Sequence, residues 1–81
     1  MAYERRTVVS GKNRSGKRVF GWLSGYWKLE SAVRWARLQR AVGEVRIEHS
    51  VIDNSGKGRG GHDGRWVASA DDKIERVEVG R

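Results

Sequence analysis

The stretch SGKNRSGKR, residues 10–18, contains the residue types of a nucleotide-binding loop. Gly11, four further residues and then Gly16-Lys17 fit the phosphate-loop pattern, in which a Ser or Thr hydroxyl next holds Mg²⁺. Here that position is Arg18, which cannot ligate a cation. A phosphate loop also needs a helix after its lysine, whereas residues 18–23, RVFGWL, are typical of a strand. The stretch is therefore predicted to be a cationic hairpin turn that binds no nucleotide.

The two histidines are the other candidates for chemistry. His49 takes an apolar position of a predicted strand, which favours either a strand-end imidazole or a satisfied, partly buried one over a catalyst. His62 and Asp63 lie in a glycine-rich segment where nothing holds them in register. Two histidines with scattered carboxylates do not form a recognisable set of metal ligands. No Ser or Thr belongs to a sequence motif of a catalytic nucleophile. We predict a protein that is not an enzyme, with no catalytic residues, no metal and no cofactor.

Basic residues dominate the charge, with 17 Lys and Arg against 10 Asp and Glu and a formal net charge of +7. Such an excess favours association with polyanions, either nucleic acid or an acidic protein surface. The first strand and the hairpin turn are predicted to bring six cations into one anion-binding patch, to which two cations of the glycine-rich segment could add; the alternative is a solvated charged face. The eight residues are Arg5, Arg6, Lys12, Arg14, Lys17, Arg18, Lys57 and Arg59.

Among the possible negatively charged partners, an anionic membrane is the least favoured. The one predicted helix intermixes Trp and Arg instead of placing them on opposite faces. No apolar run approaches the length of a membrane span, and residues 1–9, MAYERRTVV, lack the apolar core of a signal peptide. The chain has no Cys, which suits a reducing compartment. We therefore expect a cytoplasmic protein without a membrane partner.

The pattern along the chain predicts one domain, residues 1–81, of the α+β class, with the order ββαβββ. Strands are predicted over 4–10 and 17–23, a helix over 28–42 stopped by Gly43, a strand over 44–53, and a final hairpin of 65–69 and 73–79 around Ala70-Asp71-Asp72. One helix would pack on an antiparallel sheet. Residues 54–64, NSGKGRGGHDG, contain five glycines and are predicted to form a flexible loop that could order on a partner.

The predicted helix carries two apolar stripes. Leu29, Ala32, Val33 and Ala36 fall within an arc of about 100° that should face the sheet. A second stripe lies more than about 90° away on the helical wheel and has the composition of an interface anchor. Either the sheet curls around the helix to cover it, or it meets a protein partner or a second copy in a homodimer. This stripe consists of Arg34, Trp35, Leu38 and Val42.

The second strand places Arg18, Phe20 and Trp22 on one face and Val19, Gly21 and Leu23 on the other. Aromatic side chains beside basic ones on a sheet can stack nucleic-acid bases. Because the chain has few large apolar residues, however, we expect Phe20 and Trp22 to form the core under the helix.

A short hairpin, one helix, a strand such as GEVRIEHS and a terminal pair opening with GRWVAS resemble the arrangement in small phage anti-CRISPR proteins, notably inhibitors of type I surveillance complexes. The resemblance covers most of the chain as an order of elements. It implies a stoichiometric, non-catalytic inhibitor in a bacterial host cell, which blocks a Cas subunit through its charged and aromatic surface. Many such inhibitors are acidic mimics of DNA, whereas this chain is basic. The alternative is a DNA- or RNA-binding protein that contacts phosphates without reading sequence.

Overall fold

One helix packs on an antiparallel sheet of five strands in this computed structural model, which describes residues 3–53 and 60–78. The elements are β1 Tyr3–Asn13, β2 Arg18–Ser24, α1 Leu29–Leu38, β3 Ala41–Asp53, β4 Gly61–Ala68 and β5 Ile74–Glu78. The predicted α+β class and the order ββαβββ are both confirmed.

The strand order in the sheet is β2-β1-β3-β4-β5, and every neighbouring pair is antiparallel. The long strands β1 and β3 form the centre, with Val9 opposite Ile47. β2 and β5 are the two edges, so the sheet is open and does not curl around the helix. The covering of the second helix stripe by a curled sheet is therefore excluded.

The core lies between α1 and the central strands and consists of small side chains. Ala32, Val33 and Ala36 are buried, which confirms that this stripe faces the sheet. Opposite them lie Val9 and Ile47, both buried. The remaining buried apolar residues are Ala41, Val45 and Ala68. With two alanines on its inner face, the helix can approach the sheet closely, and the bulky aromatic rings are left at the margins or outside.

The prediction that Phe20 and Trp22 form the core is wrong. Their side chains are 49% and 53% exposed, on the sheet face opposite the helix. Val19 and Leu23, in the alternate phase of β2, pack against the core instead. Both phases of this strand are apolar, and the helix lies over the phase with the smaller side chains.

Trp35 finds a place on the sheet because β2 carries a glycine beneath it. A Cβ placed on Gly21 would overlap the outer edge of the Trp35 ring. The ring therefore lies directly on the backbone of the edge strand and packs against the core as a half-buried side chain. A flat sheet thus covers Trp35 without curling, which neither of the two predicted alternatives anticipated.

The helix ends four residues earlier than predicted, at Leu38 instead of Val42. Arg40 has a φ of 74° and turns the chain, so that β3 begins at Ala41. Gly43, predicted to end the helix, instead lies within β3, with a φ of 71°. There the register with β1 shifts. Val42 consequently belongs to a strand and not to a helix stripe.

The predicted loop over 54–64 is partly a strand. β4 begins at Gly61, and His62 pairs with Ser50 of β3, so His62 and Asp63 are held in register. The prediction that nothing fixes these two residues is therefore wrong. Lys57 and Arg59 lie outside the described residues, and their predicted role in binding stays a prediction.

Candidate functional site

The face of the sheet opposite α1, here called the open face, joins aromatic and basic side chains of β1 and β2. The register places Val8 opposite Trp22, Ser10 opposite Phe20, and Lys12 opposite Arg18. Since side chains alternate along a strand, these pairs share one surface. The β1–β2 half of the open face is thus formed by Arg6, Val8, Ser10, Lys12, Arg18, Phe20 and Trp22.

Each exposed ring on β2 has a guanidinium group over one of its faces. The Cζ of Arg6 lies 3.9 Å from the centroid of the Trp22 ring, and the Cζ of Arg18 lies 4.6 Å from that of Phe20. Arg18 precedes the two rings along β2, and Arg6 pairs with Ser24 beyond them. The four planar groups therefore form a row, with an arginine at each end. Cation–π contacts of this kind fix the orientation of both partners.

The β1–β2 turn, residues 13–17, ends the hairpin in a defined conformation. We call this turn, together with the flanking Lys12 and Arg18, the tip. The backbone N–H of Asn13 donates to the carbonyl of Lys17 (2.8 Å), and the N–H of Lys17 donates to the Oδ1 of Asn13 (2.9 Å). Gly16 has a φ of 83°, as a three-residue hairpin loop requires at that position. β2 starts immediately afterwards at Arg18, so no helix follows the lysine. The prediction of a hairpin turn instead of a phosphate loop is confirmed.

The tip carries four positive charges that no carboxylate of the described residues neutralises. Lys12, Arg14, Lys17 and Arg18 are exposed, and none of them forms an ion pair with a carboxylate in residues 3–53 or 60–78. A groove of about 480 Å³ adjoins the tip, and Lys12, Arg18 and Arg46 are among its lining residues. This end of the open face therefore holds four exposed cations that have no carboxylate partner among the described residues.

Other arginines of the open face do have acidic partners. Arg6 lies 3.3 Å from Glu4, and Arg65 lies 3.6 Å from Glu48. Arg46 lies 3.7 Å from Glu44, in a pair whose two side chains are mostly exposed. The remote half of the face, on β3 to β5, therefore combines both signs of charge. The cations without a described carboxylate partner are concentrated on the β1–β2 half.

The six cations predicted to form one patch lie in three separate places. Arg6 is six residues from Lys12 along β1, which corresponds to roughly 20 Å. Arg5 is on the helix side of the sheet, with its Cζ 5.7 Å from the centroid of Tyr26. The patch at the tip therefore consists of Lys12, Arg14, Lys17 and Arg18 alone. The sequence prediction failed because it treated proximity along a hairpin as proximity in space.

His49 belongs to an aromatic cluster on the helix side of the sheet. Its ring stacks on Tyr26 with centroids 4.3 Å apart and meets the ring of Trp66 edge-on at 4.7 Å. Its Nε2 lies 3.0 Å from the carbonyl oxygen of Trp27, to which a protonated Nε2 donates. The predicted satisfied, partly buried imidazole is confirmed. This histidine holds the β2–α1 connection against the sheet.

Two further polar groups of this cluster are also satisfied. Burial, together with a 2.6 Å hydrogen bond donated by its hydroxyl to Asp63, raises the pKa of Tyr26 to about 12. The hydroxyl of the fully buried Thr7 accepts from the N–H of Trp27 (2.8 Å) and donates to the carbonyl of Gly25 (2.7 Å). These bonds account for both side chains as parts of the fold.

The four residues predicted as a protein or dimer interface do not form one surface. Arg34 is exposed, and Leu38 is the most exposed large apolar side chain described, at 73%. Trp35 is half-buried over Gly21. Val42 lines the groove beside Lys12. The predicted interface stays a prediction for Arg34 and Leu38, which are neighbours at positions i and i+4 of the helix.

Phe20 and Trp22 are the site residues that the sequence prediction placed wrongly. The signal that could have identified them is the phase they share with Arg18, which as a charged side chain is not buried without a partner. Gly21 is the second signal. A glycine within a strand often marks a place where another group approaches the backbone closely, which indicates that the phase of Gly21 faces the helix.

Within the described residues, no helix is long and apolar enough to cross a membrane. The same part of the chain contains no group of three or more His, Asp or Glu side chains that could hold a metal ion.

Comparison with known proteins identifies no relative. No protein-family model matches the chain, and neither a curated protein nor a solved structure matches it. The resemblance to anti-CRISPR proteins stays a prediction.

Proposed function

We propose that this protein binds nucleic acid on the β1–β2 half of the open face and does not chemically change it. One observation carries the proposal: exposed aromatic rings and cations without carboxylate partners share one continuous surface. Phe20 and Trp22 supply the rings, and the tip supplies the charge. Large exposed apolar side chains that cluster on a soluble domain usually mark a binding site.

The tip contributes affinity mainly through its number of charges. Each cation that neutralises a phosphate releases a bound counterion, and the effects add on a logarithmic scale. With four such cations, the slope of log K against log salt concentration is about −3. Lys12, Arg14 and Lys17 are exposed and free of intramolecular ion pairs among the described residues, so binding breaks no such contact.

The same contacts predict binding without sequence preference. Phosphate contacts position a protein on its ligand but carry no sequence information. Every base has a π-face, so stacking on an aromatic ring tolerates any base.

The test measures binding of labelled oligonucleotides by fluorescence anisotropy over a series of salt concentrations. A charge-reversed tip variant should bind at least tenfold more weakly than the wild type, with a slope reduced in magnitude. A control variant changes three exposed cations elsewhere and has the same formal net charge, so only the position of the charges differs. The tip variant is Lys12→Glu, Arg14→Glu and Lys17→Glu; the control is Lys28→Glu, Arg34→Glu and Lys73→Glu.

Equal loss of binding in both variants would show that net charge, and not the tip, attracts the ligand. Wild-type protein that binds no oligonucleotide at low salt would refute the proposed function. Arg18 is left unchanged in both variants because it also contacts the Phe20 ring.

A protein-binding inhibitor, as the anti-CRISPR resemblance implies, is the second candidate function. The observation that favours it is the 73% exposure of Leu38 beside the exposed Arg34, since an apolar side chain flanked by Arg is common in interface anchors. A pull-down from bacterial lysate, with and without nuclease, tests it. A protein partner retained after nuclease treatment and lost with Leu38→Asp supports inhibition. Loss of all partners after nuclease leaves nucleic acid as the ligand.

A further inference from the structure

We infer that the nucleic acid is single-stranded and that two successive bases stack on Phe20 and Trp22. The inference rests on the proposed function and adds the class of ligand and the way it is bound. It is carried by the spacing of the two rings, their exposure and the arginines at the ends of the row.

The spacing of the rings does not fit a duplex. Phe20 and Trp22 are two residues apart on one strand, so their Cα atoms are about 6.6 Å apart. Successive bases in a duplex strand are only about 3.4 Å apart. A strand that places adjacent bases on both rings must therefore be extended to roughly twice its duplex spacing. Such an extension separates the stacked bases, which only an unpaired strand permits at low cost.

The accessible chemistry points in the same direction. In a duplex, the π-faces of the bases are covered by their neighbours, and only base edges and phosphates reach a protein surface. This half of the open face presents two half-exposed rings, each with a guanidinium plane over it, and these groups have little to stack on in a duplex. Unpaired bases can stack on aromatic rings and on guanidinium planes. The row therefore matches single-stranded nucleic acid.

The guanidinium groups extend the stacking surface at both ends. Arg6 is held in place by Glu4 (3.3 Å) and by the Trp22 ring, so its charge is largely offset while its planar group stays fixed. Arg18 has no carboxylate partner among the described residues and offers both a plane and a charge. A base at either end of the row can stack on a guanidinium plane.

The position of the tip indicates where the phosphate backbone of the bound strand lies. The uncompensated cations lie at the Arg18 end of the row, where Lys12 lines the groove together with the Arg46–Glu44 pair. The backbone of the strand should thus run along β2 and leave over the tip. The seven residues of β2 span roughly 23 Å, which accommodates about three or four nucleotides at the extended spacing. We expect affinity to rise with oligonucleotide length up to about four to six nucleotides, once the tip is included.

The experiment compares labelled oligothymidylate, oligouridylate and a mixed-sequence duplex, all of about 12 nucleotides, by fluorescence anisotropy. Wild-type protein should bind both single strands at least tenfold more tightly than the duplex. Trp22→Leu and Phe20→Leu keep an apolar side chain but remove the π-face, and each should weaken single-strand binding roughly 5- to 100-fold. Trp22→Phe keeps a ring and should retain most of the affinity.

Tyr3→Ala is the matched control, because Tyr3 is an aromatic residue exposed by 61% on the opposite face of the sheet. It should leave binding unchanged. Intrinsic fluorescence gives a second readout: stacking of a base on Trp22 quenches its emission, and Trp22→Phe should remove that part of the quenching.

The outcomes separate the inference from the proposed function. Equal affinity for single strands and duplex, or full affinity in the two leucine variants, would overturn stacking while leaving the tip as a phosphate-binding site. Binding of neither kind of nucleic acid would refute the proposed function itself. Unequal affinities for oligothymidylate and oligouridylate would still support the inference, because both ligands are single strands.

Discussion

At the scale of the residue, the tryptophans show how the same side chain is used in opposite ways. Trp35 lies on the backbone of Gly21, and Trp66 lies over Gly64, where an added Cβ would approach its Cη2 to 2.7 Å. In both places the glycine has no side chain, so the ring can pack directly against the strand backbone. Trp22 has an arginine beside its ring and is more than half exposed. The first two rings pack within the fold, whereas the third is exposed on the open face.

The phenol of Tyr26 gives a residue-scale prediction for alkaline pH. Its pKa is raised to about 12 by burial and by its bond to Asp63, so the folded state favours the neutral phenol. The resulting stabilisation is fully present below the ordinary pKa of about 10 and is lost as the pH rises from about 10 to about 12. Absorbance of tyrosinate should report this titration in Tyr3→Phe protein, in which Tyr26 is the one remaining tyrosine.

Two variants check the origin of this shift. Asp63→Asn removes the negative charge and should lower the pKa of Tyr26, while Tyr26→Phe should remove its share of the loss of stability at alkaline pH. A phenol that titrates at the ordinary value in the folded protein would contradict the contact with Asp63.

At the scale of the element, the position of α1 on the sheet depends on one glycine. Gly21→Ala places a methyl group where the Trp35 ring lies, and overpacking of this kind costs about 1–3 kcal/mol of unfolding free energy. In a Trp35→Leu background the clash is relieved, and the same change should cost close to nothing. Urea denaturation of the four proteins in this cycle measures the coupling.

Gly61→Ala is the control for this cycle. It also replaces a strand glycine, but an added Cβ there meets no atom within 4 Å. Its effect should stay within about 0.5 kcal/mol. Equal costs of Gly21→Ala in both backgrounds would show that Trp35 does not rest on β2.

The sequence predicted those elements whose signals are local. Gly16 marks the β1–β2 turn, and the turn at Ala70-Asp71-Asp72 was also placed correctly, with Asp72 at a φ of 64°. The end of α1 was misplaced because pairing of β3 with β1 outweighs continued helix after Leu38, and that pairing joins residues distant in sequence. The start of β4 was missed for the same reason, since it depends on pairing with β3.

The sequence predicted one part of the candidate site, the cations of the tip, but not the other, the exposed rings of Phe20 and Trp22. The cations of the tip follow from composition and turn signals, and their predicted place in a hairpin is correct. The exposure of Phe20 and Trp22 does not follow from β2 alone, because both of its phases are apolar. It is decided by the inner face of the helix, where alanines and Trp35 together fit over the phase that contains Gly21.

At the scale of the whole molecule, Arg37 connects three parts of the chain. Its Nε and Nη2 donate to the Oδ1 of Asp72 at 3.0 and 2.9 Å, its Nη2 donates to the carbonyl of Ser69 at 3.0 Å, and its Nη1 donates to the carbonyl of Ala41 at 3.2 Å. The end of α1 is thereby tied to the start of β3 and to the β4–β5 turn. The edge hairpin β4–β5 and the helix are therefore stabilised together.

Arg37→Gln should accordingly destabilise the molecule as a unit. Hydrogen bonds to charged groups are each worth about 1.5–3 kcal/mol when buried, but this ion pair is partly exposed, so the expected loss is about 1–2 kcal/mol.

Arg34→Gln, on the exposed side of the same helix, is the control and should change the unfolding free energy by no more than about 0.5 kcal/mol. Urea denaturation measures both, and native-state hydrogen exchange should show faster opening in β4 and β5 of the Arg37 variant. An Arg37 variant as stable as the Arg34 variant would mean that the hydrogen bonds of Arg37 contribute nothing measurable to the unfolding free energy.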